Sequence, residues 1–208
     1  MLSNKTLIMI VGPSAMGKST VMNVAMQMDP RFVRVRSFTT RKPRPNDEPD
    51  QYFYLKPNEL DELLAAGEVV TSVEFPTTGD MYGTLTTSYG GEYCLLDTLA
   101  NSVELYRGLP FARTVTLSLT RPVDAWHERF LQRFPKPSDE AMKRLEEAKL
   151  SISWSLAQTT NHAWLLNDGT PEYAAQKLIG MFLHGLPSDE GASHAHDVLS
   201  RIESGVWQ

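Results

Sequence analysis

Apolar positions recur along this chain with two different periods, and the switches between them mark its elements. Thr6–Val11 is an unbroken apolar run that ends at a glycine, the pattern of a parallel strand buried on both faces. Lys18–Gln27 reads as a helix, with Val21, Val24 and Met28 at helical spacing. Phe32–Arg36 and Tyr52–Leu55 read as strands, and alternation puts Tyr52 and Tyr54 on one face. A helix follows, opened by Pro57 and stopped by Gly67. Glu68–Phe75 and Tyr82–Thr86 are β-rich pieces joined by a glycine-containing loop. Glu92–Asp97 and Arg113–Leu119 are two further buried strands, and Asp124–Phe134 is helical. Ala141, Leu145, Ala148, Ile152 and Leu156 form one stripe at spacings of three and four, the mark of a long amphipathic helix. Ala163–Asp168 is the last strand, and Pro171–His184 the closing helix, with Pro171 in its first turn.

Strands that alternate with helices predict an α/β fold around a mainly parallel central sheet. Residues 36–91 are richer in β signals and read as an insertion into that fold. From Pro187 the chain turns polar and only weakly helical, so residues 186–208 are expected to form a tail beyond the domain.

Composition narrows the class without naming a function. The 208 residues, 41% of them hydrophobic, suffice for one sizeable core with inserted lobes. A formal net charge of -5 argues against a dedicated nucleic-acid binder. The apolar run at Leu7–Val11 is far shorter than the ~20 residues of a membrane span and leads directly into a glycine loop, so it reads as a strand and neither an anchor nor a signal core. The single cysteine, Cys94, lies in the apolar run YCLL and reads as a small buried hydrophobe; a chain without internal disulfides fits a reducing, cytoplasmic setting. His194 and His196 have no further ligands in view and read as solvated, while the four tryptophans and nine methionines read as packing.

Candidate chemistry begins at Gly12. GPSAMGKS matches G-x-x-x-x-G-K-[ST] through Gly12, Gly17, Lys18 and Ser19, between a predicted strand and a predicted helix. Glycines allow a tight turn whose N–H groups converge on an anion, and the following helix adds the positive end of its dipole. Lys18 supplies a mobile charge for β- and γ-phosphates, and the Ser19 hydroxyl is a ligand for Mg²⁺. Asp97, at the end of YCLLD, suits two roles equally, a carboxylate for magnesium-bound water or a strand-end cap. A second cluster, RSFTTRKPRP, gathers Arg36, Arg41, Lys42 and Arg44 in an otherwise acidic chain.

With these residues placed, the sequence resembles the guanylate kinase family. The resemblance runs from about Leu7 to Leu183 and rests on an ordered series: GPSAMGKST, SFTTRKPRP, YFYL, GEVV with VEF and MYGT, LLD, RFLQRF with KRLEEAK, and LLND. It implies a P-loop three-layer sandwich with a core (1–35, 92–128 and 146–185), an inserted monophosphate-binding lobe (36–91) and a short helical lid (129–145). It further implies ATP and Mg²⁺ as cofactors and small-molecule nucleotides as partners, with no nucleic-acid polymer and no membrane. Gly12, Ser14, Ala15, Met16, Gly17, Lys18, Ser19, Thr20, Arg129 and Asn167 would hold ATP, and Ser19 and Asp97 the metal. Ser37, Arg41, Arg44, Tyr52 and Tyr82 would grip the acceptor phosphate, with Phe53 an alternative to Tyr52 because the preceding loop is short. Lys18, Arg41, Arg133 and Arg144 would act on the transferring group.

The match breaks where the family reads guanine. Two carboxylates serve there, and this chain has Thr71 and Leu99 at their positions, with Thr84 nearby. A carboxylate accepts both guanine donors at once, whereas threonine offers one neutral acceptor and leucine none. Glu74 and Asp80 are the nearest acidic substitutes. The resemblance therefore implies GMP or dGMP as first acceptor, and leaves two alternatives: a kinase of the same fold for another phosphomonoester such as ribose 1,5-bisphosphate, or a non-catalytic phosphopeptide-binding module. The intact phosphate loop weighs against the last.

Overall fold

A computed structural model describes residues 2–43, 47, 52–74, 78–185, 187–188 and 190–207. In chain order the strands are β1 (Thr6–Val11), β2 (Phe32–Arg34), β3 (Ser37–Thr39), β4 (Tyr52–Tyr54), β5 (Val69–Glu74), β6 (Met81–Leu85), β7 (Tyr93–Asp97), β8 (Arg113–Thr120) and β9 (His162–Leu166). The helices are α1 (Lys18–Met28), α2 (Pro57–Ala65), α3 (Val103–Arg107), α4 (Val123–Arg133), α5 (Asp139–Leu156), α6 (Pro171–Leu183) and α7 (Gly191–Ser204).

Five strands form an all-parallel sheet in the order β2-β7-β1-β8-β9. β1 is central, which is why its sequence is apolar throughout. Ile8 and Ile10 enter one apolar cluster with Met22, Trp126, Phe130 and Leu178, while Leu7, Met9 and Val11 enter another with Cys94, Val103 and Tyr106. Both faces of the sheet are thus covered, as the α/β expectation requires. The strand order makes the C-terminal ends of β7, β1, β8 and β9 neighbours, and each of those ends leads into a loop at the same edge.

The insertion is a second sheet of four strands, β4-β3-β6-β5, in which β3 and β4 are parallel and the other pairs antiparallel. Phe38, Leu60 of α2 and Leu85 form its own small core. Pro57 opens α2, and the Glu59 carboxylate accepts the Lys56 N–H at 2.6 Å, satisfying one free donor of the first turn. None of the helices described is long and apolar enough to cross a membrane.

Three local features go beyond or against the sequence reading. Ser37–Thr39, inside the basic run, is a strand that pairs with both β4 and β6. Val103–Arg107 is a short helix in a stretch with no clear period. The largest correction concerns residues 186–208, expected as a tail. Residues 191–204 are helical and lie on the core, with Ala195, Val198, Ile202 and the following Val206 buried. Spacings of three and four make that stripe, narrow enough to be lost in the polar average of the segment. The Trp207 indole N–H donates to the Phe134 carbonyl at 3.0 Å, and its ring meets Phe130 edge-on.

Candidate active site

The loop from Gly12 to Gly17 leaves β1 and enters α1, with Gly17 in the N-cap position. Gly12 (φ 144°) and Gly17 (φ 95°) occupy backbone regions open chiefly to glycine. A Cβ on Gly12 would sit 2.6 Å from the Leu119 carbonyl oxygen, and one on Gly17 2.7 Å from Asn167 Nδ2. Ala15 also lies at positive φ, 71°. Three successive carbonyls of this loop are taken by side chains from neighbouring elements. Trp126 Nε1 of α4 donates to Ser14 O at 3.1 Å, Arg121 Nη1 to Ala15 O at 3.4 Å, and Asn167 Nδ2 to Met16 O at 2.9 Å. A planar trans peptide points its N–H opposite to its C=O. Holding those three carbonyls outward therefore turns the N–H groups of Ala15, Met16 and Gly17 to the other side, as an anion nest demands.

Lys18 Nζ curls over this nest. It donates to Gly12 O at 2.6 Å and to Pro13 O at 3.4 Å, and stands 3.8 Å from Asp97 Oδ1. Asp97 closes β7, paired in register with Ile10 of β1, so adjacent strand ends deliver the lysine loop and the carboxylate to one place. The Asp97 side chain keeps 38% of its surface open. Ser19 and Thr20 follow in the first turn of α1. The accessible Asp97 carboxylate and the hydroxyl of Ser19, the residue after Lys18, are hard oxygen donors of the kind that suit Mg²⁺. Arg129 of α4 reaches the same loop, its Nη1 3.8 Å from the Cβ position of Gly17.

The second cluster is built on β3, β4 and β6. Their register sets Ser37 opposite both Tyr52 and Thr84, and Thr39 opposite both Tyr54 and Tyr82. Arg41 follows β3, is buried, and lies over the Tyr52 ring at 5.0 Å. The Tyr52 and Tyr82 rings meet edge-on at 6.1 Å. Arg41 grips Asp47 with both terminal nitrogens, each contact 2.7 Å, and Tyr54 donates to the same carboxylate at 2.6 Å. That bond to Asp47 raises the Arg41 pKa above its ordinary value. Tyr52, not Phe53, stands beside Arg41; the Phe53 ring instead carries the guanidinium of Arg36 at 4.1 Å, and Arg36 Nη2 also donates to the Tyr52 carbonyl. Burial first, and then the charge of Asp97, raise the Tyr52 hydroxyl pKa. Arg44 lies outside the described residues.

The positions expected near the base hold no carboxylate. Thr71 is buried, its hydroxyl 2.8 Å from that of Thr84 and 3.2 Å from Tyr106 OH. Thr84 in turn lies 2.7 Å from Tyr89 OH. Desolvation raises both tyrosine pKa values, which keeps these hydroxyls neutral. Leu99 is exposed, Glu74 lies on the exposed end of β5, and Asp80 accepts from Thr78 within its own turn. Among the described residues Arg133 and Arg144 make no hydrogen bond or ion pair to the loop: Arg133 lies over the Phe134 ring, and Arg144 pairs with Glu147 at 2.7 Å. Asn167, expected near adenine, is tied to the loop backbone. Arg121 and Asp47 escape sequence reasoning. The one visible signal for Arg121 is its place directly after a buried strand; Asp47 sits unremarked in a proline-rich acidic run.

The family model described as guanylate kinase matches residues 4–112. A guanylate kinase of Trichormus variabilis is 41% identical over 83 residues, which are 39% of this chain and 41% of that enzyme's length. One from Streptomyces coelicolor is 32% identical over 157 residues, covering 71% of this chain and 77% of its own. The crystal structure of guanylate kinase from Anaplasma phagocytophilum superposes with a TM-score of 0.57 at 18% identity, covering 100% of this chain and 97% of that one, a likeness of fold.

Proposed function

Because the chain belongs to the guanylate kinase family, we propose that it transfers the γ-phosphoryl group of ATP to the phosphate of a nucleoside monophosphate, with GMP or dGMP as first acceptor. The observation that carries this reading is the convergence of Lys18 and Asp97, 3.8 Å apart, on a complete phosphate loop, with Arg41 stacked over Tyr52 in the neighbouring sheet.

In this mechanism the donor triphosphate rests on the N–H groups of the 12–19 loop, and Lys18 leaves its carbonyl partners for the β- and γ-phosphates. Ser19 and Asp97 would hold Mg²⁺, which would supply neutralisation of the donor's phosphate charge. The acceptor phosphate takes the fork of Arg41 between Tyr52 and Tyr82, with Ser37 at the edge of the same row. An acceptor oxygen attacks the γ-phosphorus as the bond to the bridging β,γ-oxygen breaks, giving ADP and a diphosphate. The acceptor is already an anion, so no general base is required. Arg129 stands at the loop, and Arg133 and Arg144 approach the transferring group when the segment between α4 and α5 closes and excludes water.

A second reading has its own support. The hydroxyl cluster of Thr71, Thr84, Tyr89 and Tyr106 is closed on itself, so guanine finds no carboxylate there. Losing a bidentate base contact removes ~1–3 kcal/mol of discrimination. An acceptor without a base, such as ribose 1,5-bisphosphate, would suffer no such loss. ADP release measured against GMP, dGMP, AMP, UMP, dTMP and ribose 1,5-bisphosphate separates the readings. Turnover with GMP or dGMP above the rest supports the first; ribose 1,5-bisphosphate above all nucleotides supports the second; no turnover with any, alongside saturable phosphopeptide binding, refutes both. Lys18→Ala should cut kcat by at least about 10²–10³-fold and leave the fold intact; near-normal activity would remove Lys18 from the mechanism.

A further inference from the structure

We propose that Arg121 is a positioning residue for the donor triphosphate: a buried cation behind the phosphate loop that orients the Ala15 peptide and adds its field to the nest. The proposal rests on the donor-site reading above, and it concerns a residue outside the 4–112 stretch matched by the family model.

Arg121 directly follows β8, whose neighbours in the sheet are β1 and β9, so its backbone lies between the phosphate loop and Asn167. The residue is 6% exposed. Nη1 reaches Ala15 O at 3.4 Å, and Nε is buried without a partner. No described carboxylate lies within ion-pair distance of it. Arg129, at the same loop, acts on it as a like charge; the adjacent Glu128 is exposed and offsets that effect weakly. Burial, and secondarily Arg129, lower its pKa, the expected response of a desolvated cation beside another. A guanidinium nonetheless stays charged in proteins.

A buried charge without a bonded counter-ion is costly to hold, and the cost falls when an anion arrives nearby. The one anion the surrounding geometry is built to receive is a phosphate on the 12–17 loop. Arg121 meets that loop from its carbonyl side, and the N–H of Met16 belongs to the same peptide as the Ala15 carbonyl. A cation bound to that carbonyl polarises the peptide so that its N–H becomes the stronger donor toward the phosphate. Direct contact with the phosphate is not required, because Coulomb attraction across a low-dielectric wall acts through space.

Charge and bond can be separated by substitution. Arg121→Met removes both, Arg121→Gln keeps a donor for Ala15 O without the charge, and Arg121→Lys keeps the charge. Calorimetric titration of the full chain should use Mg·ATP, inorganic tripolyphosphate and adenosine. Wild type is expected to bind ATP. Arg121→Met should bind ATP and tripolyphosphate about tenfold more weakly, with adenosine unchanged within about twofold. Arg121→Lys should recover most of the loss. If Arg121→Met does not fold, Arg121→Gln is expected to show the same selective loss. A purely structural arginine would weaken ATP and adenosine alike, and that result, or wild-type ATP affinity in Arg121→Gln, overturns the proposal. Absence of ATP binding by wild type would overturn the donor-site reading itself, and this proposal with it.

Discussion

Arg41 is held bidentately by Asp47, Nη1 to Oδ2 and Nη2 to Oδ1, both at 2.7 Å, in the geometry that a guanidinium offers to a phosphate. The carboxylate thus occupies the fork that the acceptor phosphate would need. Binding must exchange one anion for another, and the net affinity is the difference. Asp47→Asn leaves a neutral partner that the phosphate displaces more easily. Acceptor KM should fall by about threefold to tenfold, with the KM for ATP unchanged. Initial rates at saturating ATP check this; a rise in acceptor KM would mean that Asp47 orients Arg41 and does not compete.

The hydroxyl cluster makes a stability claim independent of substrate. Thr71 Oγ1 contacts both Thr84 and Tyr106, and all are buried. Thr71→Val keeps the shape and deletes the shared hydroxyl, so each neighbour loses a partner. The cost should be about 1–3 kcal/mol, or a Tm drop of roughly 2–10 °C for a chain of this size. Thermal melts followed by circular dichroism measure it. No change in Tm would show that water replaces the lost hydroxyl.

How far all this is legible in the sequence depends on the range of the interactions. β1 and its loop are local: an apolar run, a glycine, a lysine and a helix follow one another, and the fold keeps that order. The parallel sheet follows from alternation. The closure of the base region does not. That a carboxylate position holds Thr71 can be read directly, but its bonding to Tyr106, 35 residues away, depends on how α3 is laid against β5 and β6. Asn167, read as part of the last strand, shows its bond to the Met16 carbonyl only when the end of β9 and the phosphate loop meet across 151 residues. The Ser37–Thr39 strand is hard to read because it is only three residues long inside a basic run, while its pairing on both sides, which buries Phe38 and Thr39, is long-range.

His162 gives the fold a pH dependence. It lies between Trp154 and Trp164, and its Nε2 is 2.7 Å from Ser118 Oγ. Burial first, then Arg107, lower its pKa from 6.5 to about 4. Between those values an unfolded chain takes up a proton that the folded one excludes. The stabilisation is therefore complete above pH 6.5 and is lost as pH falls toward about 4, with no further loss from this group below that. Tm profiles of wild type and His162→Asn should converge in that window. Parallel profiles would show that acid sensitivity comes from other groups.

The helix at residues 191–204 should be indispensable to the fold, because it holds α4 as well as covering apolar surface. His127 of α4 donates from Nε2 to the Val206 carbonyl, and its Nδ1 accepts from Arg201 Nη2 at 3.2 Å, which fixes one neutral tautomer. α4 also carries Trp126, bonded to the phosphate loop, and Arg129 beside it. Val198 lies at the centre of the buried stripe, with 0% exposure. Val198→Asp forces a carboxylate into an apolar seam and should cost about 3 kcal/mol or more. Val198→Ala leaves a cavity and should cost about 1–3 kcal/mol, as an order of magnitude. Urea titrations of both variants give the two values. A freely mobile tail would make either change neutral, and unaltered midpoints would return residues 191–207 to that status. Loosening α4 also shifts the Trp126 contact with Ser14, so Val198→Ala should raise the KM for ATP before it affects the acceptor, a difference that initial-rate kinetics can resolve.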